Sequence, residues 1–258
     1  MKAQLCFLLV LLVVVNDNAL SQQIDSNGNK ASSIITPADL PSPRLFFNNE
    51  TRGIIVRSIK DFPELSRNKF ESKFKAEASV SKLSTAATGT VVVWDHGVDI
   101  NDGPRRIAKA TAEAAKRSKF KGGSEAEYSF KFSKTDASPL AKLQFLGTLA
   151  SGDPSRSPLT SAMRVFEDHE GTIFTLQEDD FSSTAGGSAM AIKELLVVDV
   201  AGKLGQLVKI RNSNGDETWL LNWIYRERTI NLTVSCAVGS CIGAEEMLKI
   251  GTSIISPD

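Results

Sequence analysis

The most regular pattern in the chain is an alternation of apolar and polar residues. Residues 128–132 alternate aromatic side chains with a serine and Lys131, and such a period of two is typical of a strand with one buried and one solvated face. After a polar break, residues 141–146 repeat the alternation, with Lys142 and Gln144 opposite the apolar positions. We therefore predict two paired strands whose polar face, carrying these two lysines and the glutamine, could bind a ligand.

Short apolar runs of the same kind recur between turn signals. Residues 167–171 separate two of them and Asn214-Gly215 separates two more, which predicts two β-hairpins. The predicted further strands are 53–59, 70–78, 90–94, 159–166, 172–176, 194–200, 204–210, 218–224, 229–237 and 247–255. About a dozen short strands with frequent turns indicate an all-β fold, an antiparallel β-sandwich formed by residues 44–258 as a single domain.

Residues 102–119 are the segment whose pattern is ambiguous. Asp102 followed by Pro104 and a run rich in Ala, Lys and Glu is a favourable helix start. The apolar residues of this run are nearly all alanine, so a helix here would bury little surface and would rest on intrinsic propensity. The residues alone leave helix and strand as alternatives.

The first residues have the composition of a secretory signal peptide. Met1-Lys2 supplies a basic start, residues 5–15 form an apolar core, and small residues up to Ser21 suit cleavage. We predict a signal peptide at 1–21, a disordered polar leader at 22–43 and a secreted, extracellular protein. The apolar run is shorter than the roughly 20 residues that span a bilayer, so we expect no membrane insertion.

Export bears on the cysteines, because Cys6 would leave with the signal peptide. Cys236 and Cys241 then remain as an even pair in an oxidising compartment, which predicts a disulfide between them; a metal or redox pair is the alternative. Asn49 and Asn231 each begin an Asn-x-Thr motif, so both are candidate glycosylation sites.

Charge and known motifs narrow the classes of function. Thirty basic and thirty acidic side chains give no net charge, so we expect no nucleic-acid partner. The chain has two histidines and no nucleotide-binding, serine-hydrolase or metalloprotease motif, so we expect no metal and no cofactor. The acidic runs Glu178-Asp179-Asp180 and Glu245-Glu246 are expected to be solvated loop or strand-end residues. Trp94, Trp219, Trp223 and Tyr225 could stack on sugar rings or could pack in the core.

Several segments resemble secreted polysaccharide lyases of the concanavalin A-like jelly-roll type, the group that includes alginate and glucuronan lyases. These segments are Gly103-Pro104-Arg105-Arg106, Gly123 with residues 128–132, Leu143-Gln144-Phe145, Ser157-Pro158-Leu159 and Leu248-Lys249-Ile250-Gly251. In this order they are similar to the family's arginine strand, a following strand, its glutamine strand, the start of the next strand and its closing strand. The resemblance covers roughly residues 85–258. It implies a jelly-roll sandwich in which 102–119 is strand and loop, and 247–255 is a strand.

The resemblance also implies a site that acts on an acidic polysaccharide by β-elimination. Arg105 or Arg106, Gln144 and Lys249 would neutralise the uronate carboxylate, which lowers the cost of the carbanion. His96 or Tyr128 would then be the acid/base, by elimination among the remaining residues. The candidate substrate-binding residues are Arg105, Tyr128, Lys131 and Lys142, and both lysines lie on the polar face predicted from the alternation.

The catalytic motifs are degenerate relative to that family. Gln144 is followed by Phe145-Leu146 with no histidine, and Thr252-Ser253 stands where the family has a catalytic tyrosine. We therefore expect a protein that acts on or binds an acidic polysaccharide or another glycan, with enzyme activity left open. The alternative is a non-catalytic, lectin-like or structural extracellular binding protein, and in either case we expect a monomer.

Overall fold

The computed structural model describes residues 12–15, 53–61, 64, 79–85, 89–97, 103–118, 128–151, 158–182, 188–193, 196, 198–211, 216–236 and 241–255. Its strands are β1 (Leu12–Val15), β2 (Gly53–Arg57), β3 (Ser79–Thr85), β4 (Gly89–Gly97), β5 (Gln144–Ser151), β6 (Ser161–Glu167), β7 (Ile173–Asp180), β8 (Ser188–Ile192), β9 (Val198–Asp199), β10 (Leu204–Arg211), β11 (Glu217–Tyr225) and β12 (Arg228–Ser235). Its helices are α1 (Gly103–Arg117) and α2 (Ala244–Ser253), with two short 3-10 turns, Ile59–Asp61 and Pro139–Lys142.

Most of these strands form one large sheet in the order β3-β4-β10-β11-β12-β7-β6-β5, with β9 paired to β10. The pairs from β10 to β5 are all antiparallel, whereas β4 runs parallel to β10. A smaller sheet has the order β1-β8-β2. The part of the chain predicted to be a signal peptide thus contributes a strand beside β8.

Alternate residues along each strand point to opposite sides of the large sheet, and a helix covers each side. Met163 and Val165 of β6 pack against α1, so we call this side the α1 face. Leu176 of β7, Leu221 of β11 and Leu232 of β12 pack with α2, so we call that side the α2 face. The larger hydrophobic core lies on the α2 face and contains both Trp219 and Trp223.

Helix α1 corrects the expectation of strand and loop at 102–119. Ala108, Ala112 and Ala115 recur at helical spacing and are buried against the sheet. Their small side chains let the helix backbone approach β5 closely, at Gly147, where φ is +151°. The alanines that suggested a weakly buried helix therefore make close packing on the sheet possible. Intrinsic helix propensity predicted this segment correctly, whereas the resemblance to the lyases did not.

Helix α2 corrects the strand predicted at 247–255. Ala244, Met247, Ile250 and Ile254 are buried, and their spacing of three and four residues is helical rather than alternating. The segment that resembled a closing lyase strand therefore packs on the α2 face as a helix, with Gly251 seated on Leu221.

The aromatic alternation at 128–132 does not form a strand either. Residues 128–134, which we call the strap, make two isolated bridges, Tyr128 with Leu159 and Lys134 with Ile255. The three aromatic rings of the strap meet edge to face, with centroids 4.9 to 5.8 Å apart, and two of them are buried with Ala162 of β6. The strap thus lies on the α2 face, and the predicted pairing of this segment with 141–146 is wrong.

The coarser fold prediction is confirmed, because the described chain is mostly strands with an extended antiparallel sheet. Both predicted hairpins are present as β6–β7 and β10–β11, and the predicted disulfide joins Cys236 to Cys241. The finer prediction of a concanavalin A-like jelly roll is not established by the described residues. What they contain instead is one large sheet with a helix on each face and a small second sheet. The predicted strand at 70–78 lies outside them.

The close approach of α1 to β5 gives a test of this packing. Gly147→Ala would place a Cβ against the carbonyl oxygen of Ala115, and its φ of +151° is strained for any L side chain. We expect the free energy of unfolding to fall by about 2 kcal/mol, measured by urea denaturation.

Gly171→Ala is the matched control for that variant. Gly171 also has positive φ, +81°, but an added Cβ there would meet nothing within 4 Å. The control should therefore show only the backbone cost, about 1 kcal/mol. Equal losses in the two variants would contradict the helix packing described for Gly147.

Candidate functional site

Three consecutive carboxylates of β7 are buried, contrary to the expectation that they are solvated. Glu178 is 1% exposed, Asp179 9% and Asp180 7%. Because strand residues alternate, Glu178 and Asp180 point to the α2 face and Asp179 points to the α1 face. The carboxylates on the two faces therefore have different hydrogen-bond partners.

On the α2 face, Glu178 and Asp180 hold the strap. The carboxylate of Glu178 accepts hydrogen bonds from the backbone N–H and hydroxyl of Ser133 at 3.0 and 2.6 Å, and pairs with Arg164 at 2.8 Å. Asp180 accepts the hydroxyl of Ser129 at 2.6 Å, while Arg228 donates to the carbonyl of Lys131 at 2.9 Å. Each of these buried charges has partners, so this cluster is a structural clamp on the strap.

On the α1 face, four carboxamide side chains lie directly opposite one another on four neighbouring strands. Gln206 of β10 is in register with Asn222 of β11, which faces Asn231 of β12, which faces Gln177 of β7. We call these four residues the amide row. Met163 of β6 continues the row in an apolar form and packs against α1.

Asp179 lies beside the amide row and fixes half of it. The Gln177 amide nitrogen is 3.0 Å from each carboxylate oxygen of Asp179, and the Asn231 amide nitrogen is 3.4 Å from one of them. Ser161 and Thr229 donate hydroxyl hydrogen bonds to the same carboxylate. Burial raises the pKa of Asp179, although the hydrogen bonds from Ser161, Gln177 and Thr229 act in the opposite direction.

Gln206, at the other end of the row, is 4% exposed, and its amide nitrogen has no hydrogen-bond partner among the residues that the structure describes. An unpaired buried amide costs about 1–3 kcal/mol, so folding stability alone does not explain a glutamine at this position.

The row has an open and a closed end. Gln177 and Asn231 are partly exposed, whereas Asn222 and Gln206 are buried. Helix α1 covers the α1 face at one end of the strands, where Lys116 pairs with Glu167 at 3.4 Å. The small sheet covers the other end: Ala189 and Ala191 of β8 are buried there with Phe181, and Ile224 of β11 packs against them. The amide row therefore lies between two covered ends of the same face, accessible from β7 and β12.

The predicted catalytic residues are not gathered in one place. Arg106 is exposed on α1, on one side of the large sheet, and Lys249 is exposed on α2, on the other side. Gln144 is exposed at the start of β5, and His96 lies in β4 beside Ile210 of β10. Lys249 does not share a sheet with Gln144, because Lys249 is helical.

The predicted substrate-binding residues are also spread. Arg105 lies on α1 and pairs with Asp216 at 3.7 Å. Lys131 is exposed on the strap, Lys142 is exposed in the 3-10 turn before β5, and Tyr128 is buried with the other strap aromatics. Their roles stay predictions.

Two further predictions concern residues whose surroundings are now described. Trp219 and Trp223 are 4% and 3% exposed on the α2 face, so both pack in the core rather than offering a stacking surface. Asn231, a candidate glycosylation site, lies within β12 with its amide nitrogen directed at Asp179. Asn49 lies outside the described residues, and glycosylation stays a prediction at both positions.

Sequence reasoning missed the amide row altogether. Its four members are separated by up to 54 positions (Gln177 to Asn231) and match no local motif. The one available signal was polar residues at alternate positions of β7 and β12, where the opposite positions are apolar or charged. Among the residues that the structure describes, no group of three or more His, Cys, Asp and Glu could hold a metal ion.

The buried Asp179 predicts a pH dependence of stability. Because its pKa is raised in the folded state, folding binds protons, and Asp179 lowers stability as pH rises from its ordinary value near 3.8 through the raised value. Asp179→Asn cannot ionise. We expect its free energy of unfolding, relative to the unsubstituted protein, to improve between pH 4 and pH 7 in urea denaturation.

The control for that experiment is Asp168→Asn. Asp168 is another acid near a strand end, but it lies in the β6–β7 turn and is outside the amide row. Parallel stability curves for the Asp179→Asn variant and the unsubstituted protein across this pH range would show that Asp179 ionises normally.

Comparison with known proteins assigns no function to the amide row. No protein-family model matches the chain, and no curated protein or solved structure is significantly similar to it. The resemblance to polysaccharide lyases thus rests on the short segments that suggested it, and two of those segments are helical.

Proposed function

We propose that this protein is an exported, non-catalytic glycan-binding protein whose ligand contacts the amide row. The observation that carries the proposal is a register-aligned row of four carboxamides that ends in a buried, unpartnered amide nitrogen on Gln206. A few polar groups placed on an otherwise covered surface are typical of a site that orients a small ligand.

Carboxamides suit a hydroxyl-rich ligand because each offers both a donor and an acceptor. A sugar hydroxyl also donates one hydrogen bond and accepts others, so adjacent hydroxyls of one ring can pair with adjacent amides. The Cβ atoms of directly opposed residues on neighbouring strands are about 4.5–5.5 Å apart. Repeated polar groups at this spacing match the repeated hydroxyls of a saccharide better than a single charged group.

Binding is favoured over β-elimination by the positions of the predicted catalytic groups. Elimination needs cationic and amide groups around one carboxylate. Arg106 and Lys249 lie on opposite sides of the large sheet, and Gln144 lies at a strand start outside the amide row. The lyase hypothesis therefore gains no support from their arrangement.

Export is part of the proposal and rests on the signal-like residues 1–21, whose cleavage would remove β1 from the small sheet. The Cys236–Cys241 disulfide is compatible with an oxidising compartment. No helix within the described ranges is long and apolar enough to cross a membrane.

A specific observation favours acidic polysaccharides as a second candidate ligand, at a different surface. Arg106, Lys109, Lys116 and Arg117 are all exposed on α1, with Glu113 as the one exposed acid of the helix. A helix side with this excess of cations attracts polyanions even though the whole chain is neutral.

The first test replaces the unpartnered amide. Gln206→Leu should weaken glycan binding about tenfold, the effect of losing roughly 1.4 kcal/mol from one hydrogen bond. Stability should stay equal or rise, because the variant buries an apolar group instead of an unsatisfied amide. A glycan array identifies the ligand, and calorimetric titration with urea denaturation measures both quantities.

Gln144→Leu is the matched control, since it makes the same change on an exposed glutamine outside the row. It should leave affinity unchanged. If Gln144→Leu abolishes binding while Gln206→Leu does not, the amide row is not the site, and the site predicted around Gln144 from the sequence is favoured. A Gln206→Leu variant that loses stability instead would give the glutamine a purely structural role.

The second candidate has its own test. Arg106→Gln with Lys109→Gln should weaken binding of an alginate or pectate polymer about threefold to tenfold, because two exposed cations contribute up to roughly 1 kcal/mol each at low salt. Lys249→Gln is the control on the opposite side of the sheet, where its ammonium group is paired only loosely with Glu246 at 3.8 Å. Equal effects of the two changes would mean non-specific attraction.

A further inference from the structure

We infer that the ligand of the amide row is an uncharged saccharide, and that Asp179 excludes acidic sugars from the row. This inference rests on the proposed function and assigns its substrate class. It opposes the acidic polysaccharide expected from the sequence. Three properties of the α1 face carry it: the position of its charges, the direction of its amides and the fixed geometry of Asp179.

The first property is the distribution of charge between the two faces. Within β5, β6, β7, β10, β11 and β12, every lysine and arginine whose side chain the structure describes falls on the α2 face; these residues are Arg164, Lys209 and Arg228. On the α1 face of the same six strands, Asp179 lies next to the row, and Glu167 lies at the end of β6 that α1 covers. A uronate bound along the row would therefore meet a carboxylate and no cation from these strands.

The second property is the direction in which the partly exposed amides point. Both contacts of the Gln177 amide group with Asp179, and the contact of Asn231, use the nitrogen. A carboxylate only accepts hydrogen bonds, so Asp179 itself fixes the nitrogen on its side. The carbonyl oxygens of Gln177 and Asn231 must then point away from Asp179. The accessible end of the row is consequently lined by acceptors.

Acceptors at the entrance and a donor at the closed end select hydroxyl groups. One hydroxyl of a saccharide can donate to the oxygen of Gln177 or Asn231, and a different hydroxyl, two or three strands away, can accept from the nitrogen of Gln206. A carboxylate cannot donate at all, so at the entrance it would face amide oxygens and, above the raised pKa of Asp179, the negative charge of that residue. Like charges in a largely buried site repel strongly because little water screens them.

The third property is that Asp179 cannot turn away. Its carboxylate receives hydrogen bonds from four side chains on three strands: Ser161 of β6, Gln177 of β7, and Thr229 and Asn231 of β12. A fixed repulsive group of this kind discriminates against a ligand that the attractive contacts alone would accept. Asp179 is thus the residue that determines specificity, while Gln206 supplies a contact.

The experiment uses matched pairs of oligosaccharides that differ in the carboxyl group. Gluco-, manno- and galacto-oligosaccharides are compared with the glucuronic, mannuronic and galacturonic oligomers of the same linkage and length. We expect the full chain to bind one neutral member at least about tenfold more tightly than its acidic counterpart, measured by calorimetric titration. Asp179→Asn should reduce that ratio to about threefold or less by relaxing the exclusion of the acidic member.

Esterification removes the negative charge from the ligand instead of from Asp179. This test uses the unsubstituted protein, so it does not require that a variant folds. Methyl-esterified galacturonic oligomers lose their charge but keep their shape, so they should bind the unsubstituted protein nearly as well as the galacto-oligosaccharide. Binding of an acidic oligomer that survives Gln206→Leu but is lost on Arg106→Gln with Lys109→Gln belongs to α1 and not to the row.

The outcomes separate this inference from the proposed function. Tighter binding of an acidic member that is lost on Gln206→Leu would overturn the inference and leave glycan binding at the row intact. A ratio unchanged by Asp179→Asn and by esterification would remove Asp179 as the determinant. Absence of binding to every neutral and acidic member, and to a broad glycan array, would overturn the proposed function itself.

Discussion

The pleat of a single strand decides where the buried charge of this protein goes. Glu178, Asp179 and Asp180 are adjacent in β7, and successive residues of a strand point to opposite sides of the sheet. Two of the three carboxylates therefore enter the face that has arginines and the strap, and the middle one enters a face without cations from its neighbouring strands. A buried pair such as Glu178 with Arg164 is neutral as a unit, whereas the Asp179 carboxylate, whose pKa burial raises, is held by neutral donors.

The parts of the fold that could be predicted are those encoded by local pattern. The β6–β7 and β10–β11 hairpins have short polar connections between apolar runs, and the sequence distance between their strands is small. The disulfide follows from two cysteines five residues apart in sequence. The strap and α2 were both wrongly predicted to be strands. Alternating aromatic residues fit an extended segment outside a sheet as well as a strand, and an apolar run with interspersed charges fits a helix as well as a strand. Ser133 is buried at a position that alternation assigns to solvent, because Glu178 binds it.

The site could not be predicted for a different reason. Gln177, Asn222, Asn231 and Gln206 become neighbours only through three successive strand pairings, each of which must be in the right register. A residue-by-residue reading regards each as an ordinary polar strand residue. The residues singled out from the resemblance, such as Arg106 and Lys249, failed to converge because two of the matched segments are helices on opposite sides of the sheet. A short sequence match to a family shows that the residue types agree, but it does not show which way their side chains point in the fold.

The turn between β6 and β7 acquires a role beyond connecting two strands. Its Asp168 side chain accepts the backbone N–H groups of Glu170 and Thr172 at 2.9 and 2.8 Å, and Gly171 takes a positive φ of +81°. Together these contacts set which residue of β7 begins the ladder. A slip of one residue would exchange the two faces, sending Glu178 into the amide row and Asp179 towards the arginines and the strap. The β6–β7 turn is distant from both the amide row and the carboxylates that hold the strap. It nevertheless disfavours a misfolded register in which every strand forms but the side chains of both sites point to the wrong face.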